Sequence, residues 1–307
     1  MVREIVFESP VTPNAHVQNP TKPGLLVNPY FDNFYRTHRK AMWDFDKVPF
    51  DRINPRLLTE DDIEAATTAM KVESHNPVYT AKLLTYFRED HEMTSFIMTW
   101  GYEEMKHYLG LRTYLEACGR VNIRVLAADL EQVRSGPWGD KEVGFTEGQS
   151  YGYTMVQEQV TGRFYNKFAE RTKEPVLRDM LYLIGKDEYR HAAYYLGKGK
   201  QEVEKNPAAR EQIGEALMDF GMPGPTFIGE DNYRKGAEVM NRIASPGPLD
   251  VVAVLRKVGE LIGYRYLFDL LDKKEHQEAL SQHWHGIDIQ QVMNMLRPMR
   301  TAANILG

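Results

Sequence analysis

Along most of this chain apolar residues return every three or four positions, the spacing that gathers them on one face of an α-helix. The pattern dominates from about residue 27 onward, and the strict alternation of half-buried strands is scarce. It predicts a first helix over Asn28–Met42, then a loop over DFDKVPFDRINPRLL marked by Pro49 and Pro55. Thr59 with Asp62 three residues on reads as a weakened capping box opening a long helix. That helix is expected to turn back near REDHE (residues 88–92), and the next to run over Met93–Ala117 and end at Gly119. A helix over Ile123–Arg134 is stopped by Ser135-Gly136-Pro137, and the Gly-rich GDKEVGFTEG forms a loop. Helices over Gln149–Ala169 and Val176–Tyr195 follow, joined by ERTKEP (residues 170–175). Later helices are predicted over 206–219, 231–242, 248–271 and 286–304, with a break at Gly221–Pro225. The expected class is all-α, with residues 1–26 as an extended, proline-containing arm and 27–307 as one helical domain.

Composition narrows the chemistry. The chain has 307 residues, enough for a large core, and 42% hydrophobic with 26% charged residues is ordinary for a globular protein. A formal net charge of −5 argues against a general nucleic-acid binder. No apolar run approaches a membrane span, and the N-terminus does not read as a secretory signal. Cys118 is the lone cysteine, which rules out an intramolecular disulfide and fits a cytoplasmic location. Any metal site must therefore draw on His, Asp and Glu, a donor set that suits iron or manganese better than structural zinc.

Two stretches read alike: Glu103-Glu104-Met105-Lys106-His107 and Asp187-Glu188-Tyr189-Arg190-His191. Positions three apart share a helix face, so a Glu and a His so placed can hold one metal ion. A single Glu-x-x-His is weak evidence, but here each has a lone Glu upstream at nearly the same distance. Glu73 precedes Glu104 by 31 residues, and Glu158 precedes Glu188 by 30. The midpoints fall in REDHE and ERTKEP, so each interval reads as a helical hairpin. Its ligands lie roughly 22 Å from the turn, at about 1.5 Å per residue. In antiparallel helices they reach the same height, so Glu73 should face Glu104 and His107, and Glu158 should face Glu188 and His191.

Stacking the hairpins puts four carboxylates and two imidazoles at one level, the ligand set of di-iron and di-manganese bundles. The 51-residue link from His107 to Glu158 suits the long crossover of a ferritin-like bundle. A metal-free salt-bridge network is the bland alternative. It is disfavoured because clustered carboxylates repel, and no Lys or Arg stands at the inward positions. The expectation is a ferritin-like four-helix di-iron bundle with flanking helices. It would hold two Fe ions (Fe2+/Fe3+), with manganese able to replace one or both.

These residues resemble the acyl-acyl-carrier-protein desaturase family. Its Glu-x-x-x-Pro-x-Tyr is matched by Glu73 to Tyr79, and its Trp-x-x-Glu-Glu-x-x-His by Trp100 to His107. Its Gln-Glu-x-x-Thr is matched by Gln157 to Thr161, and its Asp-Glu-x-x-His by Asp187 to His191. The likeness covers roughly residues 30–270, with Met105-Lys106 and Gln159 departing from the usual Asn-Arg and Arg. Pro77 cannot donate to the carbonyl of Glu73 and is expected to loosen the helix there.

The resemblance implies bridging roles for Glu104 and Glu188. Glu73 and His107 would complete one iron, and Glu158 and His191 the other. It places Thr161 beside the oxygen-binding face, the bland reading being a helix residue bonded to a backbone carbonyl. Asp187 and Glu103 could orient the histidines, or could lie on a solvated face. The implied reaction is O2-dependent removal of two hydrogens from adjacent carbons of an acyl chain. That chain would ride on acyl carrier protein as a thioester, with electrons from an external donor such as ferredoxin and a homodimer as the working unit. The rivals are a di-iron oxygenase or hydroxylase acting on another carrier-tethered or small substrate, and a non-catalytic iron-binding relative.

Carrier proteins are acidic, and Arg36, His38, Arg39 and Lys40 on the first helix are candidates to meet one. His283-Trp284-His285 reads as surface, since residues two apart do not share a helix face. His75 and His91 read as non-ligands, and the Met-rich tail as a packing helix or partner contact.

Overall fold

The computed structural model describes residues 29–134, 146–218, 220–284 and 287–306. The expected arm over 1–26, the Ser135-Gly136-Pro137 stop and most of the Gly-rich loop lie outside the described residues. Among the described residues the regular structure is helical throughout. The order is α1 (Pro29–His38), α2 (Glu60–Glu73), α3 (Asn76–Tyr86), α4 (His91–Ala117), α5 (Ile123–Arg134), α6 (Glu147–Arg171) and α7 (Pro175–Lys205). Then come α8 (Ala209–Met218), α9 (Gly224–Ile228), α10 (Glu230–Ala244), α11 (Pro248–Ile262), α12 (Tyr264–Leu271), α13 (Lys274–His283) and α14 (Ile289–Leu306). Short 3-10 turns occupy the loop between α1 and α2.

The long helices start where the sequence supplies caps. Thr59 and Asp62 form a complete capping box rather than a weakened one, each side chain accepting the other's backbone N–H at 3.1 and 2.8 Å. Thr146 and Gln149 repeat the device at α6. Asp90 caps α4 through the Met93 N–H at 3.0 Å. Glu174 caps α7 through the Leu177 N–H at 2.8 Å, ahead of Pro175 at a position that needs no donor. Glu174 is wholly buried and also accepts from the Tyr114 hydroxyl, which ties the α6–α7 turn to α4.

α2 and α3 pack along α4, α6 packs along α7, and α4 meets α7, so the two hairpins close into a four-helix bundle. α6 and α7 approach closely at Gly162 and Gly185, where a Cβ on Gly162 would lie 3.1 Å from Glu188 Cβ. α10 lies over α2 and α6, while α8, α11, α12 and α14 cover one end of the bundle.

The buried apolar residues fall into two clusters. One holds Met93–Trp100 of α4, Tyr151–Val156 of α6, and Tyr194 and Tyr195 of α7. The other holds Tyr108–Leu115 of α4, Tyr165–Ala169 of α6 and Val176–Ile184 of α7. The stretches between them, 103–107, 158 and 187–191, are those read from the sequence as chemistry. The polar band is thus sandwiched between apolar layers, where charge is poorly screened.

Several expectations need correction. The helix expected to run unbroken from Thr59 ends at Glu73 and restarts at Asn76, so the chain breaks fully instead of loosening, with Pro77 in the first turn of α3. Asn76 anchors the restart by donating to the Gly101 carbonyl at 2.5 Å. α7 continues ten residues past the expected Tyr195, and the helix expected over 248–271 divides at Gly263, whose φ of 88° suits glycine. Trp284, read as surface, is 5% exposed and belongs to a core cluster; His285 lies outside the described residues. His38, read with its neighbours as a docking cation, is 2% exposed and points inward, leaving Arg36, Arg39 and Lys40 on the surface.

Candidate metal centre

Four helices deliver the six expected side chains to one place. Glu73 is the last residue of α2, Glu104 and His107 lie mid-way along α4, Glu158 mid-way along α6, and Glu188 and His191 on α7. All six are buried, at 5% exposure or less. Their ligand atoms form two overlapping groups, each within 4.8 Å: Glu73, Glu104, His107 and Glu188, then Glu104, Glu158, Glu188 and His191. Glu104 and Glu188 belong to both. The two carboxylates shared between the groups therefore come from the two Glu-x-x-His helices.

The inward atoms lack ordinary partners. His107 Nδ1, His191 Nδ1, Glu104 Oε1 and Glu188 Oε1 are buried without a hydrogen bond among the described residues. His107 Nδ1 nevertheless lies 3.4 Å from Glu188 Oε1, and His191 Nδ1 lies 3.2 Å from Glu104 Oε1 and 3.5 Å from Glu158 Oε2. Buried polar atoms are rarely left unpaired, since each costs about 1–3 kcal/mol. A shared cation satisfies such a convergent set. Four carboxylates carry four negative charges, which two divalent ions balance while the imidazoles stay neutral. The donor set, nitrogen and oxygen without sulfur, fits iron or manganese.

The far side of each imidazole is held by an acid from the opposite helix. His107 Nε2 lies 3.1 Å from Asp187 Oδ2, and His191 Nε2 lies 3.0 Å from Glu103 Oε2. The supports cross: Glu103 stands beside Glu104 but serves His191, and Asp187 stands beside Glu188 but serves His107. A proton on Nε2 directed at these acids leaves each Nδ1 lone pair facing the cluster, the tautomer a metal requires. Both acids are wholly buried, so the solvated-face reading of Glu103 and Asp187 is set aside.

Burial among like charges shapes the titration of the metal-free cluster. Burial, then Glu104, pushes the Glu73 carboxyl well above its ordinary value, and burial with Glu104 and Glu158 does the same to Glu188. Burial also acts to raise Glu104, but His107 and His191 beside it outweigh that and hold it at about 2. Burial similarly opposes ionisation of Glu103, yet hydrogen bonds with His191 and His38 keep it well below the carboxylate range. Burial would lower His191, and the carboxylates around it, Glu103 foremost, raise it well above an ordinary imidazole. In the metal-free protein a proton on His191 thus takes part of the role of a cation.

Other groups around the cluster were missed or unassigned in the sequence. The Tyr165 hydroxyl donates to Glu73 Oε1 at 2.6 Å, and Trp100 Nε1 donates to Glu158 Oε1 at 3.0 Å. The Trp43 indole donates to Asp187 Oδ2 at 2.6 Å, and Lys106 Nζ to the Trp43 carbonyl at 3.2 Å. Burial and then the charges of all four cluster carboxylates raise Tyr79, whose ring packs against Trp100 with centroids 5.4 Å apart. Tyr195 is 1% exposed with its hydroxyl unpaired among the described residues. Helical spacing held a signal for two of these, since Tyr165 follows Glu158 by seven residues and Tyr195 follows His191 by four. Thr161 is half-buried one turn beyond Glu158, next to the close approach at Gly162. His75 is buried and stacks on Phe227, outside both ligand-atom groups.

The fold has known counterparts. A protein of Mycobacterium tuberculosis H37Rv, assigned as the acyl-ACP desaturase DesA2, superposes with a TM-score of 0.56 at 15% identity, covering 82% of this chain and 96% of its own. Two mutants of an R2-like ligand-binding oxidase, one with an Fe/Fe and one with a Mn/Fe cofactor, each give 0.49 at 16% and 15% identity, with 85% of this chain and 93% of theirs covered. No curated protein sequence matches the chain. The first superposition shows a ferritin-like fold. The sequence pattern described as fatty acid desaturase matches residues 58–272, well over half the chain and all six cluster residues. With that match on this bundle, the chain belongs to the fatty acid desaturase family of the acyl-acyl-carrier-protein type.

Proposed function

We propose that the protein is an O2-dependent di-iron oxidoreductase that introduces a double bond into an acyl chain carried on acyl carrier protein. One observation carries the reading: six buried donors from four helices converge between two apolar layers, and Glu104, His107, Glu188 and His191 each keep an inward atom without a hydrogen bond among the described residues. Glu73 and His107 would hold one iron and Glu158 and His191 the other, with Glu104 and Glu188, which belong to both groups, available to each. When bound, the irons supply the redox chemistry with O2 that an unactivated chain requires. The protein binds, orients and excludes water. Asp187 and Glu103 fix the imidazole tautomers, Tyr165 and Trp100 hold the lone glutamates, and the apolar layers keep solvent from the reacting carbons. Thr161, half-buried one turn beyond Glu158, would lie beside the face where O2 binds. Arg36, Arg39 and Lys40, exposed on or just after α1, are the cations that meet an acidic carrier. Electrons come from an external donor such as ferredoxin, in the cytoplasm.

A homodimer is part of this reading. No helix among the described residues is long and apolar enough to cross a membrane, yet α4 turns Met98, Tyr102 and Leu109 outward at 61%, 59% and 38% exposure, with Met105 between them. The seam reads the same from either end. About a two-fold axis opposite residues 103 and 104, Met98 meets Leu109 and Tyr102 meets Met105 of a second copy, the self-complementarity of an isologous contact. Sedimentation of Met98→Glu/Leu109→Glu against the wild type tests the seam.

The deciding experiment loads iron under nitrogen, reduces it, and adds O2 with a panel of acyl carrier proteins, reading products by mass. Loss of two hydrogens is the expected result. Gain of one oxygen atom makes the protein a hydroxylase, and unchanged acyl chains without O2 uptake make it a non-catalytic relative.

A further inference from the structure

α1 precedes the residues 58–272 shared with the family, yet it reaches the metal cluster. His38, its last residue, is 2% exposed and stacks on Phe34 at 4.6 Å. Its Nδ1 accepts from Arg190 Nε at 3.0 Å, which leaves Nε2 to carry the proton it shares with Glu103 Oε2 at 2.5 Å. The same oxygen accepts from His191 Nε2. Glu103 Oε1 faces Lys106 and Arg190 at 3.8 and 3.7 Å, so of the two oxygens only Oε2 engages the imidazoles. An uninterrupted path therefore runs from α1 through Glu103 to the ligand His191. The route to His107 is longer by one residue, because its acid, Asp187, accepts from Trp43 and meets α1 only through Arg190, the residue that donates to His38.

We propose that α1 is a strap clasped to the site by His38. By holding Glu103, His38 positions His191, and the seating of α1 becomes linked to metal occupancy of the Glu158–His191 half. The proposal rests on the two-metal reading of the cluster. His38 is a positioning residue that acts through Glu103. Linkage makes the effect reciprocal: whatever the seated strap adds to metal affinity, bound metal returns to the strap. α1 has independent anchors in the Tyr30 N–H on Glu92 Oε1 at 2.9 Å and in Phe34 against Phe96 and Tyr194, so removing the clasp leaves the helix a place to dock.

The test uses the full chain under nitrogen with Co(II) as the probe, titrated against a competing chelator and read by visible absorbance. Hydrogen exchange over residues 30–38 is followed alongside. In His38→Phe, affinity for one of the two equivalents should fall by about 10- to 100-fold, and the other, reached only through Arg190 and Asp187, should fall much less. His38→Gln, whose amide can still donate to Glu103, should recover part of the loss. Metal should slow exchange in α1 of the wild type and not in His38→Phe. Adding His38→Phe to Glu158→Ala should change little further, since the half that His38 holds directly through Glu103 is already gone. Equal weakening of both equivalents, no weakening, or α1 exchange insensitive to metal would overturn the inference while leaving the two-metal reading intact. A wild type that binds no Co(II) would overturn both.

Discussion

Glu73 and Glu158 supply equivalent lone carboxylates to the cluster, yet the chain holds them differently. Glu158 sits in the interior of α6, with helix on both sides and the Trp100 indole fixing one oxygen. Glu73 is the final residue of α2, followed by a break at Ser74 and His75, and its carboxylate is held by the Tyr165 hydroxyl. The break re-aims the chain so that Tyr79 of α3 packs on Trp100, the residue that holds Glu158. One half of the site is thus built on rigid helix and the other on a helix end, where backbone groups are free of the ladder and a side chain can shift. The contrast assigns rigid holding to the Glu158 half and adaptability to the Glu73 half.

The largest expected effect comes from the acids common to both halves. Glu104→Ala or Glu188→Ala should take bound iron from two per chain toward none, measured by metal analysis after anaerobic loading, because each belongs to both ligand-atom groups. Retention of one full equivalent would show that the halves are built separately. Next in size are the lone acids. Glu158→Ala and Glu73→Ala should each remove one equivalent, and Glu73→Ala should leave the remaining ion more tightly held. If the two variants release metal at the same rate, the contrast between helix interior and helix end fails.

The six residues of the buried cluster were legible in the sequence because spacing alone carries them. Two Glu-x-x-His pairs and two lone glutamates at matched offsets can only meet if each interval is a hairpin, and length fixes the height at which they meet. The supports behind the ligands were less legible, because they join residues far apart in sequence. Trp43 to Asp187 and His38 to Glu103 span 144 and 65 residues, and no local rule pairs them. His38 did leave a trace. It follows Phe31 and Phe34 at seven and four residues, on the apolar face of α1, where a docking cation does not belong. The division at Gly263 was hidden because the apolar pattern runs on through both sides of it. The break after Glu73 was visible only as Pro77, which marks where α3 has begun rather than where α2 ends.

Smaller effects should follow from the acids behind the histidines. Asp187→Asn keeps the shape but weakens the acceptor that holds His107 Nε2, and metal affinity of the Glu73 half should fall by about tenfold. Glu103→Gln should do the same to the Glu158 half. Binding isotherms that separate the two equivalents check both, and the crossed supports predict that each variant weakens the ion on the other helix's histidine. An effect on the ion nearest in sequence would refute the crossing.

The smallest effect concerns pH. In the metal-free fold, Glu73, Glu188 and His191 have raised pKa values. Each therefore adds stability that is complete below its unfolded value, about 4.3 for Glu and 6.5 for His, and is lost as pH rises through the folded value. Glu104, held at about 2, runs the other way and loses its contribution only as the medium turns strongly acid. Above about pH 6.5 Glu104 no longer contributes to the slope while the raised acids and His191 do, so their share should make the melting temperature of chelator-treated protein fall as the medium is made alkaline. Bound metal replaces those protons as the neutralising charge, so the loaded protein should show a flatter profile and the gap between the two should widen with pH. Glu73→Gln, which fixes a neutral side chain at the helix end, should remove part of the metal-free slope. Paired melts from pH 6.5 upward check this, and a constant gap would mean that the cluster's charge is not what the metal neutralises.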